Sequence, residues 1–234
     1  MARIIRYLAA ITILVALPVV GVSQEKSVKP GVNDPFRNPN VAEWVTKFEG
    51  ESRETYQKRQ EIVAACKLKP GMVVADVGAG TGLYTRLFAE EVGKEGTVYA
   101  VDISPKFLEH IKASASNLGV TNVKTVLGTD YSVELPEASV DLVFICDTYH
   151  HFEYPARMMQ SIQRSLKPSG CVVLIDFIRI PGKSSDWVMG HVRAGQELVE
   201  KEIFECGFQK TSEIQELLQE NYVVMFEKAS IRHE

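Results

Sequence analysis

The sequence predicts an α/β domain on an open, doubly wound, mostly parallel sheet. Three observations carry that expectation. Strand-like and helix-like segments alternate through the middle of the chain. The strand-like runs, among them "MVVADV" (72–77), "SVDLVFICD" (139–147) and "CVVLIDF" (171–177), are almost continuously apolar, which implies burial on both faces between helical layers. A length of 234 residues is too short for the strand–helix pairs of a closed barrel.

The elements follow in order. Residues 41 to about 66 read as helical, with a break near Glu49–Ser52. "MVVADV" is the first strand and "TGLYTRLFAEEV" (81–92) the helix after it. "GTVYAVD" (96–102) is the second strand. "SPKFLEHIKASASNLG" (104–119) is a helix with Ser104 at the N-cap and Pro105 at the first position, where its missing N–H costs nothing. "NVKTVLG" (122–128) and "SVDLVFICD" are the third and fourth strands. "YPARMMQSIQRSLKPSG" (154–170) reads as a helix stopped by Pro168, and "CVVLIDF" as the fifth strand. A last helix is expected over about 190–206. "FQKTSEI" and "NYVVMFEK" then form an antiparallel pair at the sheet edge.

Composition narrows the class of function. Net charge is −4, which disfavours an unaided nucleic-acid binder. The first 23 residues stand apart. Arg3 and Arg6 precede the apolar run "LAAITILVALPVV", and small Gly21 and Ser23 precede Gln24. That is the pattern of a signal peptide or, if uncleaved, an N-terminal anchor. The run is shorter than the roughly 20 residues that span a bilayer. The protein is therefore expected to be exported or anchored, with membrane contact only through this segment, or cytoplasmic if the start is misassigned. Residues 24–40, polar and rich in Pro and Asn, read as a linker, leaving 41–234 as the domain. Cys66, Cys146, Cys171 and Cys206 match no common zinc spacing. Cys146 and Cys171 fall at opposite ends of parallel strands, on the order of 17 Å apart, too far for a disulfide. Cys66 with Cys206 stays open, and free buried thiols are the simpler reading.

"VVADVGAGTGLYT" (73–85) places three glycines after the first strand, at the carboxyl edge where such sheets bind ligands. Gly78 and Gly80 leave no Cβ between loop and ligand, and Gly82 allows close helix packing. The spacing G-x-G-x-G differs from the dinucleotide fingerprint G-x-G-x-x-G. Asp76 would repel a pyrophosphate and suits a cationic amino group. Asp102, ending the second strand, can accept two hydrogen bonds from a ribose diol. Asp130, after the third strand, can receive an adenine amino group. Each aspartate alone reads as a cap or turn residue. Three after successive strands, beside the glycine loop, point to an adenosine-type ligand.

The segments "VADVGAGTG", "VYAVDIS", "LPEASVDLVFICDTYHHF" and "LKPSGCVVLIDF" resemble those of class I S-adenosylmethionine-dependent methyltransferases, in the small-molecule, ubiquinone/menaquinone-like group. The resemblance covers roughly residues 41–228. It implies a Rossmann-like sheet of seven strands, order 3-2-1-4-5-7-6, with strand seven antiparallel. It implies S-adenosylmethionine as cofactor and a small-molecule methyl acceptor. Asp76 and the loop Gly78, Ala79, Gly80 and Gly82 would hold the methionine end. Asp102 would hold the ribose, Ile103 the adenine face, and Asp130 with Tyr131 the adenine edge. Asp147 would stand beside both the methionine part and the acceptor.

"CDTYHHFEYP" (146–155) follows the fourth strand, on the acceptor side. His150 and His151, with Asp147, are the candidates for catalysis, because histidine titrates near neutrality. The competing expectation is that one caps the next helix and the other packs beneath it. His191 and Arg193 are placed near the pocket, Arg193 as a holder of carboxylate or phosphate, with Trp187 and Met189 as an apolar lid. Met158 and Met159 are expected in the core. No metal site is expected; a set of His150, His151 and Asp147 is conceivable but disfavoured. A protein that binds the cofactor without transferring a methyl group is the alternative. An NAD-dependent oxidoreductase is disfavoured by the glycine spacing and Asp76.

Overall fold

The computed structural model describes residues 24–229. The expected signal segment, 1–23, lies outside the described residues. Four short helices come first among the described residues, α1 (Asp34–Arg37), α2 (Val41–Phe48), α3 (Glu54–Gln57) and α4 (Arg59–Ala65). The alternation follows with β1 (Val73–Val77), α5 (Leu83–Val92), β2 (Thr97–Asp102), α6 (Pro105–Asn117) and β3 (Val123–Leu127). Then come β4 (Val140–Cys146), a 3₁₀ turn at Tyr149–His151, α7 (Pro155–Ser165) and β5 (Leu166–Phe177). The chain closes with α8 (Asp186–His191), α9 (Gln196–Glu205), β6 (Phe208–Glu213) and β7 (Asn221–Lys228).

The seven strands lie in the order β3-β2-β1-β4-β5-β7-β6. β1 to β5 are mutually parallel, and β7 runs antiparallel to both β5 and β6. This is the doubly wound, Rossmann-like sheet the sequence implies. The central strands are buried on both faces because their side chains alternate between two apolar layers. Val143 and Ile145 of β4 join Met159, Ile162 and Ile203 on one side. Leu142 and Phe144 join Phe88, Val92 and Ile62 on the other. The chain winds outward through β1, β2 and β3, then crosses back to place β4 on the free side of β1. That reversal opens a crevice above the carboxyl ends of β1 and β4.

Three local differences from expectation have physical causes. α7 ends at Ser165, and β5 starts at Leu166, which pairs with Val140. Pro168 disfavours helical backbone at Lys167, and the Lys167 ammonium reaches the Asp141 carboxylate at 2.8 Å, holding this stretch extended. The single late helix is two, α8 and α9. Arg179 captures the Val192 and Met189 carbonyls at 2.7 and 3.1 Å, which ends α8. Ser104 does precede α6, but its hydroxyl has no partner. The Asp102 carboxylate accepts its backbone N–H instead, at 2.8 Å. All four cysteines are free, and Cys171 pairs in register with Leu142, four residues before Cys146.

The expected linker is instead part of the fold. Val28 N–H donates to the Glu153 carbonyl at 2.9 Å, and the Ser27 hydroxyl to the Glu153 carboxylate at 2.8 Å. The Asn33 amide, buried, donates to the His151 carbonyl at 3.1 Å. Its polar residues are thus the partners of the turn after β4, which composition alone does not reveal. Asn33→Ala leaves the His151 carbonyl without that donor. The expected cost is about 1–3 kcal/mol, read as a lowered midpoint in urea unfolding.

Candidate cofactor and acceptor cavity

A cavity of about 620 Å³ lies above the carboxyl edge, between the sheet and the N-terminal helices. That is within the ~300–1,000 Å³ of small-molecule sites. Asp76, Gly78, Ala79, Gly80, Asp102, Ile103, Asp130 and Asp147 all line it. His150, His151 and His191 line its other end, with Trp187 and Phe177.

The glycine loop is held by Asp102. One carboxylate oxygen accepts the Gly80 N–H and the other the Ser104 N–H, each at 2.8 Å. Burial pushes the Asp102 carboxyl up to about 6, opposed by the N–H groups of Ser104, Gly80 and Ile103. Gly80 has φ +53°, open to glycine and strained for other residues, and a Cβ there would meet the Phe48 ring at 3.3 Å. Gly82, at the N-cap of α5, lies under Ile111 of α6; a Cβ would fall 2.7 Å from Ile111. Gly82 thus serves packing rather than the cavity wall. Asp76 is 4% exposed and accepts from the Thr85 hydroxyl at 2.6 Å. Burial pushes its carboxyl up to about 7, with the Thr85 hydrogen bond opposing.

The N-terminal helices close the cavity from above. Phe36, Trp44 and Phe48 form an aromatic row with centroids 4.7 and 4.9 Å apart, and Phe36 meets the His151 ring edge-on. Arginines pin the row down. Arg37 donates to both oxygens of Asp130 at 2.9 Å. Arg86 pairs with Glu49 at 2.7 Å. Arg53 forms an ion pair with Asp147. Asp130 and Asp147 therefore reach the cavity with an arginine already on each. Asp147 also accepts from Asn221 at 2.6 Å, and burial raises its carboxyl while Arg53 lowers it. Its φ of +48° is uncommon for a non-glycine residue and aims the side chain at this pair.

Tyr131 is not brought to the cavity. It is 40% exposed, and its ring lies under the Arg157 guanidinium at 3.8 Å. The turn closed by the Thr129–Ser132 bridge swings its side chain outward. Arg193 is not available as an anion holder either; Glu202 takes it in two contacts of 2.9 and 2.6 Å. Met159 is core, whereas Met158, also buried, touches the cavity. Trp187 lines the cavity as expected.

On the acceptor side, His150 is 3% exposed and clamped by Asp176. One Asp176 oxygen accepts the His150 backbone N–H at 3.0 Å, and the other meets ring Nδ1 at 2.7 Å. Nδ1 is engaged there, so Nε2 is the ring's remaining nitrogen. His151 is pushed down to about 2 by burial and by the neighbouring His150 and His191. Burial, then His150 and Lys29, push His191 down to about 4. The sequence brings His150, His151 and His191 to the pocket but not to one another, and it does not single out Asp176. The available signal for Asp176 was an acid ending the apolar run "CVVLIDF", the same signature as Asp76 and Asp102.

S-adenosylmethionine matches this donor set. The pocket holds a buried carboxylate at the end of β2, a second at the end of β1 and a glycine turn free of side chains. Its cationic and hydroxyl-bearing ends call for those groups.

Comparison with known proteins agrees. Residues 75–174 match the family described as Methyltransferase domain. The chain is 30% identical over 123 residues to the ubiquinone/menaquinone biosynthesis C-methyltransferase UbiE of Hydrogenovibrio crunogenus, covering 52% of this chain and 48% of that protein. It is 28% identical over 118 residues to the demethylmenaquinone methyltransferase of Geobacillus stearothermophilus, covering 50% of each. The chain thus spans about half the length of the curated relatives it matches. A SAM dependent methyltransferase from Aquifex aeolicus superposes with a TM-score of 0.70 at 24% identity, over 80% of this chain and 98% of that one. The [4+2]-cyclase SpnF superposes at 0.60 with 19% identity, over 68% and 60%. At these identities the structural likeness is one of fold. Residues 75–174 thus form a methyltransferase domain, and its glycine loop, strand-end acids and sheet order are those of the class I S-adenosylmethionine-dependent fold.

Proposed function

We propose that this protein transfers a methyl group from S-adenosylmethionine to a small aromatic acceptor. The observation that carries the proposal is the buried Asp102 carboxylate, which shapes the glycine loop and lies on the cavity wall. When bound, the cofactor supplies an electrophilic methyl group on a sulfonium. Asp76 holds its amino group, Asp102 its ribose hydroxyls, and Ile103 covers the adenine face. Asp130 offers the adenine edge an acceptor already oriented by Arg37. Asp147, fixed by Arg53 and Asn221, stands where the methionine part and the acceptor meet.

The acceptor lies against the other end of the cavity. Phe36, Phe177 and Trp187 line the space beside the histidines, which supports a flat apolar ring. Holding that ring in line with the methyl carbon supplies most of the rate. His150 Nε2, oriented by Asp176, takes the proton where the reacting atom carries one. The alternative is a protein that binds the cofactor without transferring a methyl group. Formation of S-adenosylhomocysteine with a panel of hydroxylated aromatic acceptors separates the two; cofactor binding with no product across the panel excludes the transferase. The basic, apolar and small-residue pattern of residues 1–23 supports export or anchoring as part of this proposal.

Two outcomes test the site. Asp102→Ala removes the ribose acceptor and orphans the Gly80 and Ser104 N–H groups. S-adenosylmethionine affinity should fall at least about tenfold in calorimetry, with the fold retained by circular dichroism. The second outcome concerns pH. Asp76 is half-protonated near pH 7 because burial raises it. A cationic amino group binds its ionised form and expels the proton, so affinity should rise as pH rises through about 7. Asp76→Asn has no proton to lose, and its affinity should be lower and flat over the same window.

A further inference from the structure

We propose that His150, His151 and His191 form a site for a first-row divalent transition metal, of which zinc is the reference ion, at the acceptor end of the cavity. One ring nitrogen from each lies within 4.8 Å of the other two. His151 Nε2 and His191 Nε2 are 3.3 Å apart. Two imidazoles bound to one tetrahedral zinc at about 2.0–2.1 Å stand about 3.4 Å apart. The pair already has that spacing.

Each ring is set by its surroundings. Asp176 holds His150 Nδ1 at 2.7 Å, leaving Nε2 for a ligand; with an ion bound there that nitrogen takes no proton, so the base role given to it above belongs to the metal-free protein. A carboxylate behind a ligating histidine fixes the ring and strengthens its basicity. His151 is fixed at its backbone by Asn33 and packs edge-on against Phe36; its Nδ1 is buried with no hydrogen-bond partner. His191 is stacked under Trp187 at 4.6 Å, and Lys29 binds its carbonyl, so that ammonium is engaged by the backbone.

A network of hydrogen bonds alone accounts for less. The three imidazoles gather with one nitrogen each inside 4.8 Å, yet a single pair of them, at 3.3 Å, is close enough to hydrogen-bond. Imidazole donors suit zinc, copper, iron and nickel rather than magnesium or calcium. Three protein ligands leave a coordination position open, as in catalytic rather than structural zinc sites. The three histidines line the same cavity as Asp147 and Thr148, from which a further donor would come. The ligand class the open position takes is an anionic oxygen or sulfur donor; that the donor belongs to the methyl acceptor rests on the methyltransferase reading above.

The test uses the full chain, stripped with a chelator and then titrated with zinc against a competing chelator dye. About one equivalent should bind. Cobalt in place of zinc should give visible absorption bands of nitrogen-ligated, low-coordinate cobalt. His151→Gln and His191→Gln should each lose the bound ion and the bands. Asp176→Asn should weaken zinc binding about 10–100-fold, while His110→Gln, on α6 away from the cavity, should leave it unchanged. S-adenosylmethionine titration of each variant reports folding and keeps the two readings apart, since zinc binding needs no methyl donor. No zinc bound by the wild type overturns the site. So does zinc bound equally by folded His151→Gln and His191→Gln proteins. Should those variants not fold, a wild-type cobalt spectrum lacking low-coordinate bands overturns it alone.

Discussion

The geometry of the cavity depends on one buried carboxylate. Asp102 ends β2 and takes the N–H of Gly80 from the loop after β1 and the N–H of Ser104 from the start of α6. A single side chain thus ties together two strand–helix turns that are adjacent in the sheet but 22 residues apart in sequence. Burying a charge is costly unless it is hydrogen-bonded, and the loop N–H groups provide that compensation. The glycine loop takes its shape because the carboxylate needs donors, and the carboxylate stays buried because the loop supplies them.

The rest of the site follows from the reversal of chain direction between β1 and β4. It opens the crevice between β1 and β4, and the parallel strands bring the ends of β1, β2, β4 and β5 to that edge, each with an acid at or just beyond the strand end: Asp76, Asp102, Asp147 and Asp176. Their surroundings divide them. Asp76 and Asp102 face the glycine loop, Asp147 is neutralised by Arg53, and Asp176 serves His150. The N-terminal helices complete the enclosure by bringing arginine to acid rather than by joining the sheet.

Much of this was legible in the sequence because it is periodic and local. Apolar runs bounded by acids mark the strands and the glycine loop marks the turn, so Asp76, Asp102 and Gly80 could be placed from short stretches. Contacts between distant segments left no such mark. The polar residues 24–40 look like a linker because their partners, Glu153 and the His151 carbonyl, are more than a hundred positions away. His191 joins His150 and His151 only because Arg179 ends α8 and turns the chain back over the cavity. Tyr131 sits beside Asp130 in sequence yet points outward, since a tight turn separates neighbouring side chains.

The aromatic wall has an optical consequence. The protein has two tryptophans, and both line the same cavity. Trp44, half-buried, sits between Phe36 and Phe48 beside the glycine loop; Trp187, 57% exposed, stacks on His191 at the opposite end. The tryptophan emission of the described domain therefore arises wholly at the ligand cavity, with one emitter on the cofactor wall and the other on the histidine wall. Their unequal exposure separates them in colour, Trp187 emitting further to the red. The unlabelled protein thus carries a separate optical reporter at each end of its site.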